Sequence, residues 1–331
     1  MLKMAFYTMV HEEFNLSGEI EMLTIFSTPK PFRGHIATIQ RNAIKSWTLL
    51  HPECEVILIG DDEGTAEVAR EFGIRHEPEV LRNEYGTPYL NHIFDRAHEM
   101  ARHGLLCYVN CDIILMKDFI KAVNQVSLWR EVFLMVGGRW DVDITEPWDF
   151  EQPNWEEGLR TFVLQKGKRR PPGMIDFFVF PQGIYYKNMA PFLIGRPFWD
   201  NWMIWKTRSL KIPVVDISSA VIAVHQNHDY SHHPGGEKGY LHGKETMHNY
   251  ELLGGWLHIY SMDDATHRLT SKGMKRNFTH WFIMIRRMVA YGSNFIWFKI
   301  LGITRPVRDL MGLRKMNLNR FISKIKLIMG R

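Results

Sequence analysis

The sequence predicts an α/β fold in which a mostly parallel sheet is flanked by helices. Strand-like and helix-like segments alternate from Glu21 onward, and polar side chains recur where the predicted strands end. Alternation of this kind implies crossover connections between parallel strands. In such sheets, ligands bind beyond the carboxyl ends of the strands. The 331 residues, 45% of them apolar, are enough for a sizeable core.

The first predicted strand is EMLTIFST, which ends at the rigid loop Pro29-Lys30-Pro31. The later strands are CEVILIGDDEG, LLCYVNCDIIL, VFLMVGGRWDVDI, PPGMIDFFVFP and IPVVDISSAVIAV. Apolar spacing predicts the helices HIATIQRNAIKSWTLL, TAEVAREFG, LNHIFDRAHEMARHG, DFIKAVNQV and PFWDNWMIWKTRSL. Residues 145–172 have no clear period, and we expect an irregular loop there.

Charge divides the chain into three expected segments: an N-terminal segment of residues 1–20, an α/β domain of residues 21–270 and a basic, amphipathic helical tail of residues 271–331. Between Lys272 and Arg331 there are 14 lysines and arginines and one acid, Asp309, whereas the rest of the chain is acidic overall. The N-terminus has no apolar stretch of signal-peptide length, and three cysteines make no disulfide framework. We therefore expect a cytoplasmic protein.

The tail has no apolar run of the roughly 18 residues that a membrane span needs. Basic amphipathic helices bind anionic membrane surfaces, so we expect peripheral attachment to the inner face of the membrane through residues 272–331. Nucleic-acid binding is the rival interpretation, but the many Ile, Phe, Met and Trp residues argue against it. Packing of the tail on the body, or pairing in a homodimer, is the structural alternative.

Polar groups follow three predicted strands, at Thr28, at Asp61-Asp62 and at Asn110-Cys111-Asp112. A carboxylate such as Asp112 can bind a divalent cation that bridges phosphates, and the cation offsets the cost of a lone buried charge. The alternative is that Asp112 caps a turn or pairs with a basic residue. Asp61-Asp62 can accept hydrogen bonds from a nucleoside or can serve as turn acids.

A histidine-rich loop follows the last predicted strand. It contains His225, His228, His232, His233 and Asp229. A neutral imidazole is a good ligand for manganese or zinc, although most histidines in such a loop are solvated. The HExxH spacing of zinc hydrolases is absent.

Asp200 is an acid among Phe198, Trp199 and Trp202. Partial desolvation would raise its pKa, which suits a general base, and the aromatic rings suit a carbohydrate acceptor. A helix-start acid beside core aromatics is the alternative. The sequence has no GxGxxG after the first strand, no GxxxxGK[ST] and no GxSxG, which argues against an NAD enzyme, a P-loop NTPase and an α/β-hydrolase.

Taken in order, these features resemble the GT-A-type nucleotide-sugar glycosyltransferases, specifically the family-2-like enzymes of bacterial surface-polysaccharide biosynthesis. The resemblance runs from about Glu21 to Asp263 and includes a DxD-like motif. It implies a GT-A fold and transfer of a sugar from a nucleoside-diphosphate sugar to a glycan or lipid-linked acceptor. It also implies a divalent metal, Mn²⁺ or Mg²⁺.

The resemblance also assigns roles to individual residues. Asp112 would match the last acid of the DxD motif and ligate the metal, with His225 completing the metal site and His228 as the competing choice. Asn110 replaces the first acid and could still hydrogen-bond a ribose hydroxyl. Asp200 would match the base of inverting members. The residues implied to bind the nucleotide sugar are Thr28, Asp61, Asp62, Asn91, Arg96 and Asn110.

Two other interpretations remain open at this point. A sugar-phosphate nucleotidyltransferase would need a GxGxR-type loop after the first strand, and STPKPFRGH does not provide one. A catalytically degenerate assembly subunit is motivated by Asn110, because that position lacks the charge of an acid.

Overall fold

A computed structural model describes residues 22–228 and 243–283 of the chain. These residues form one twelve-stranded sheet with helices on both faces. The prediction of a mostly parallel α/β fold is confirmed.

The strands are, in chain order, β1 (Leu23–Ser27), β2 (Glu55–Ile59), β3 (Arg75–Glu77), β4 (Leu105–Val109), β5 (Ile113–Ile114), β6 (Leu134–Val142), β7 (Lys168–Arg169), β8 (Ile175–Pro181), β9 (Val214–Asp216), β10 (Ala223–Gln226), β11 (His267–Thr270) and β12 (Gly273–Arg276). The α-helices are α1 (Gly34–Thr48), α2 (Thr65–Phe72), α3 (Leu90–Met100), α4 (Lys117–Trp129), α5 (Trp155–Lys166), α6 (Trp199–Ser209) and α7 (Lys244–Leu253).

The order of the strands brings distant segments to one edge of the sheet. The main path runs β12-β11-β9-β6-β8-β4-β1-β2-β3, with β4, β1, β2 and β3 mutually parallel. Strand β8 is antiparallel to both β4 and β6, so β4 and β6 point the same way. Strand β10 is parallel to β6. The chain therefore leaves β1, β2, β4 and β10 at the same edge.

Each central strand contributes to two cores because successive side chains alternate between the faces of the sheet. In β4, Cys107 and Val109 belong to the core beneath α1, α2 and α4. Leu106 and Tyr108 belong to the core beneath α3 and α6. Burial on both faces explains why these strands read as continuous apolar runs.

The apolar run LLCYVNCDIIL is two strands rather than one. Strand β4 ends at Val109, the turn Asn110–Asp112 follows, and β5 begins at Ile113. The Ile113 amide donates to the Asn110 carbonyl over 3.1 Å, which closes the turn. Asp112 thus lies at a strand end and not within a strand.

The irregular loop expected over residues 145–172 is a wrong prediction. This segment contains helix α5 and strand β7. Leu159 and Val163, four residues apart on one face of the helix, are buried in a small third core with Val142 and Val224. Helix spacing was present in the sequence, but the charged and aromatic residues around it masked the period.

The predicted tail lies mostly outside the described residues, as do Asp229, His232 and His233. Strand β12 lies beyond the expected domain boundary at residue 270 and pairs with β11, so the sheet continues to Arg276. Across residues 22–228 and 243–283, no helix has the length and apolar character needed to cross a bilayer.

Candidate functional site

A cleft of about 340 Å³ opens where β1, β2, β4 and β10 end. Six of the residues singled out from the sequence line it: Thr28, Asp62, Asn110, Asp112, His225 and His228. These six residues lie at or just after the ends of four separate strands, and the sheet topology brings the ends of those strands together.

Asp112 and two histidines form one side of this cleft. The Nε2 atom of His228 lies 3.1 Å from Asp112 Oδ2, and His225 Nε2 lies 3.8 Å from the same oxygen. Asp112 Oδ1 is buried and has no hydrogen-bond partner among the described residues. Burial opposes ionisation of this carboxyl group, but the charge of His225 and the hydrogen bond to His228 hold its pKa well below the usual range.

The turn at Asn110–Asp112 and the end of β10 bring this cluster together. Strand β5 pairs with β10, placing Ile113 opposite His225. One potential ligand atom from each of Asp112, His225 and His228 lies within 4.8 Å of the others. A carboxylate and two imidazoles are a donor set that binds divalent cations, and the unpartnered Oδ1 fits such an ion.

His225 also contacts a second acid. Its Nδ1 lies 3.3 Å from Asp141 Oδ1 on β6. Asp141 in turn faces Arg139 Nε at 2.9 Å and Arg170 Nε at 3.2 Å. Burial raises the pKa of the Asp141 carboxyl group, but His225 and the two arginines lower it by more. A carboxylate on the far nitrogen of a histidine fixes the orientation of the ring.

The floor of the cleft holds a buried acid that sequence reasoning missed. Asp176, on β8, is 5% exposed. Its Oδ1 accepts a 2.7 Å hydrogen bond from Asn110 Nδ2, and Arg139 donates to both of its oxygens at 2.9 and 2.8 Å. An acid within the apolar run MIDFFVF is the same signal that drew attention to Asp112, so the sequence could have revealed Asp176.

The far end of the cleft is built from the end of β2 and the loop after β3. Arg82 donates to Asp61 and, over 3.0 Å, to Asp62. Asp62 lines the cleft whereas the more exposed Asp61 does not. Thr28 Oγ1 is buried here without a hydrogen-bond partner among the described residues.

Cationic side chains dominate the lining of the cleft. Four cations and three carboxylates face it: Lys30, Arg82, Arg139 and Arg196, with Asp62, Asp112 and Asp176. Arg196 is held by Glu245, which also accepts from Asn83 Nδ2 over 2.8 Å. A partly enclosed cleft with this balance favours an anionic ligand.

The structure does not bring Asp61, Asn91, Arg96 and Asp200 to the lining of the cleft. Arg96 is drawn away because it pairs with the buried Glu77 and with Glu99. Asn91, on the same helix α3, has a buried Oδ1 without a hydrogen-bond partner among the described residues. Helix α3 packs against the core that contains Leu106 and Tyr108.

Asp200 lies in the first turn of α6. Its Oδ1 is buried and has no hydrogen-bond partner among the described residues. Burial, with a contribution from the nearby charge of Asp176, raises the pKa of the Asp200 carboxyl group to about 7. Asp200 is not among the residues that line the cleft.

No protein-family model matches the chain, and no curated protein matches it. Among solved structures, a fragment of S. aureus TarS (residues 1–349) is similar over 62% of this chain, with a TM-score of 0.38 and 10% identity. This chain covers 58% of that fragment. The complex of the same fragment with UDP-GlcNAc matches over 37% of this chain and 35% of its own length, with a TM-score of 0.30 and 13% identity.

Glucosyl-3-phosphoglycerate synthase from Mycobacterium tuberculosis, solved with Mg²⁺ and UDP, is similar over 71% of this chain and 79% of its own. The TM-score is 0.41 and the identity 15%. The second TarS structure thus contains UDP-GlcNAc, and the synthase structure contains UDP. The likenesses are distant, so what this chain does is inferred from its own side chains.

Proposed function

We propose that this protein is a glycosyltransferase that moves a sugar from a nucleoside-diphosphate sugar to a hydroxyl acceptor. The observation that carries the proposal is the convergence of Asp112, His225 and His228 on a cleft whose lining is rich in arginine and lysine. A nucleoside diphosphate needs these two elements, a divalent cation site and nearby positive charge.

In this proposal Asp112, His225 and His228 hold a divalent ion, with Mn²⁺ favoured over Mg²⁺ because two of the three donors are imidazole nitrogens. The bound ion supplies positive charge against the diphosphate. Asp141 keeps the His225 ring oriented. Lys30, Arg139 and Arg196 add cationic charge from the lining of the same cleft.

The nucleoside is proposed to lie toward the ends of β1 and β2. There Thr28 Oγ1 and the Asp62 carboxylate are polar groups that can hydrogen-bond a base or ribose. Asn110 lines the same cleft, which suits contact with the ribose or the diphosphate. Asp61, Asn91 and Arg96 take no part in this arrangement, since they lie outside the cleft.

Transfer breaks the bond between the anomeric carbon and the phosphate oxygen and forms a bond to the acceptor oxygen. The nucleoside diphosphate leaves, and a base takes the proton of the acceptor hydroxyl. Asp200 stays the proposed base because a pKa near 7 suits that task. In this proposal the acceptor approaches from the side of α6, whose first turn carries Asp200. A single displacement with this base would invert the anomeric configuration.

The acceptor is proposed to be a glycan or lipid-linked saccharide, as in bacterial polysaccharide biosynthesis. Attachment to an anionic membrane through residues 272–331 would bring the enzyme to such acceptors. This part of the proposal rests on the sequence, because residues 284–331 lie outside the described part of the chain.

A thermal-shift screen of UDP-, GDP- and dTDP-sugars with Mn²⁺, followed by a hydrolysis assay of any stabilising compound, tests the proposal. A ligand at 100 times its Kd stabilises the folded protein by about 2.7 kcal/mol, which is a measurable rise in Tm. The rise should be absent in Asp112→Ala and present in Glu151→Gln, an exposed control. If no nucleotide sugar shifts Tm or is turned over with Mn²⁺, the proposal is wrong.

A further inference from the structure

The amide of Asn110 is held at both ends by buried groups. Its Oδ1 accepts a 3.0 Å hydrogen bond from the hydroxyl of Tyr108, a residue that is 1% exposed. Its Nδ2 donates to Asp176 Oδ1 over 2.7 Å, and the Asn110 backbone N–H donates to the Asp176 carbonyl over 2.9 Å. Three hydrogen bonds thus fix the backbone and the side chain of Asn110.

This arrangement determines which way the amide faces. A carboxylate accepts hydrogen bonds and cannot donate them, so Asp176 must face the nitrogen end of the amide. The Tyr108 hydroxyl then faces the oxygen end. One hydrogen of the Asn110 NH₂ group is used by Asp176, and the second remains for a ligand in the cleft that Asn110 lines.

We propose that Asp176 is a positioning residue that holds Asn110 as a hydrogen-bond donor toward an acceptor oxygen of the bound nucleoside diphosphate. This inference rests on the proposed function and deepens it. It gives Asn110 a role that an acid could not fill, because an ionised carboxylate has no hydrogen to donate.

Asp176 also explains why an amide rather than an acid occupies position 110. A carboxylate there would lie about 2.7 Å from that of Asp176, both acceptors and both negative, in a buried setting. Exchanging the two residues restores one amide and one carboxylate across the contact. Arg139 would lose part of its contact with Asp176 but keep its ion pair with Asp141 at 2.9 Å.

A double-mutant cycle on the full chain tests the inference. Binding of UDP in the presence of Mn²⁺, and of Mn²⁺ alone, is measured by calorimetry for wild type, Asn110→Asp, Asp176→Asn and the double variant. We expect Asn110→Asp to weaken UDP binding at least tenfold and Asp176→Asn to weaken it as well. The double variant should not return to wild-type affinity, because an acid at position 110 still has no hydrogen to donate to the ligand. Mn²⁺ affinity should change less than threefold throughout. Asn188→Asp, at an exposed position, is the matched control and should bind UDP as wild type does.

If Asn110→Asp fails to fold, Asn110→Ala replaces it. In that cycle Asp176→Asn alone should weaken UDP binding but should cost nothing further once Asn110 is alanine. The inference is overturned if wild type binds UDP and Asn110→Asp or the double variant binds as wild type does, or if Asp176→Asn weakens UDP binding equally with asparagine and with alanine at position 110. If wild type binds no nucleotide with Mn²⁺, the proposed function fails as well, so the two failures are distinguishable.

Discussion

The Nε2 atom of His228 lies 3.1 Å from Oδ2 of Asp112, although 116 positions separate the two residues in the sequence. Asp112 follows β4, and His228 follows β10. The two residues meet because β4 and β10 run in the same direction and β5 joins the end of one to the other. The candidate metal site is therefore a product of sheet topology, and its ligands cannot be moved without disturbing the central strands.

Asp62 and Asp61 provide a matched pair for locating the nucleotide. Both accept from Arg82, but only Asp62 lines the cleft. We expect Asp62→Asn to weaken UDP binding about tenfold, which corresponds to about 1.4 kcal/mol, and Asp61→Asn to leave it within twofold. Titration calorimetry with Mn²⁺ checks this. If both variants lose UDP affinity equally, the loss arises from the broken ion pair with Arg82 and not from a direct contact between Asp62 and the nucleotide.

Asp200→Asn should stabilise the protein at neutral and alkaline pH. The pKa of Asp200 is raised to about 7, so the unfolded chain ionises this group at a lower pH than the folded protein does. The folded state loses stability relative to the unfolded state as pH rises from about 4 to about 7, by about 1.4 kcal/mol for each pH unit in that interval. The amide does not ionise and avoids this loss.

The check is the Tm of wild type and of Asp200→Asn at pH 4, 6 and 8. The gain in the free energy of unfolding of Asp200→Asn over wild type should be small at pH 4 and grow to a few kcal/mol by pH 8. A constant difference across this range would show that Asp200 titrates normally. If Asp200 is also the base, turnover should fall about 10²–10⁴-fold in the variant while UDP binding persists.

Gly137 is predicted to tolerate no side chain. A Cβ there would lie 2.6 Å from Phe177 Cζ and 3.1 Å from Ile217 Cγ1, in the buried middle of β6. Gly137→Ala should therefore cost about 1–3 kcal/mol of unfolding free energy. Gly158→Ala, at an open position of α5, is the control and should be neutral or stabilising by up to about 1 kcal/mol. Urea unfolding of both variants measures the difference, and equal stabilities would contradict the packing of β6 on β8.

Arg96 is predicted to matter for stability and not for ligand binding. It pairs with Glu77, which is 7% exposed, and it lies outside the cleft. Arg96→Ala should lower the free energy of unfolding by about 1–3 kcal/mol because a buried acid loses its partner. Its affinity for UDP should equal that of wild type at a temperature where both are folded. A tenfold loss of affinity for UDP in Arg96→Ala would show that Arg96 contributes to nucleotide binding.

Much of the fold could be predicted because the central strands are apolar on both faces. The apolar runs of the sequence predict β1, β2, β4 and β8, and apolar spacing predicts α1. The alternation of these elements also predicted that Thr28, Asp62 and Asp112 would lie at one edge. Helix α5 was not predicted, because the charged and aromatic residues around Leu159 and Val163 mask its helical period.

The remaining features depend on three-dimensional pairing that local patterns do not carry. The resemblance implied that Arg96 binds the nucleotide sugar, whereas in the structure Arg96 pairs with Glu77 on β3, a short strand that no sequence pattern indicated. The acid Asp176 within an apolar run was visible in the sequence, but its contact with Asn110, 66 positions earlier, was not. Polar residues inside apolar runs indicated where the site lies. The side chains that contact those polar residues could be identified only from the structure.

The most direct test of the central claim is the binding of Mn²⁺ to the purified full chain with UDP present, followed by electron paramagnetic resonance. We expect one Mn²⁺ per chain in wild type and loss of that ion in both His225→Ala and His228→Ala, with Mn²⁺ retained in the control His98→Ala, outside the cleft. Retention of the ion in both histidine variants, or no bound Mn²⁺ in wild type, would contradict the claim that these histidines hold a metal.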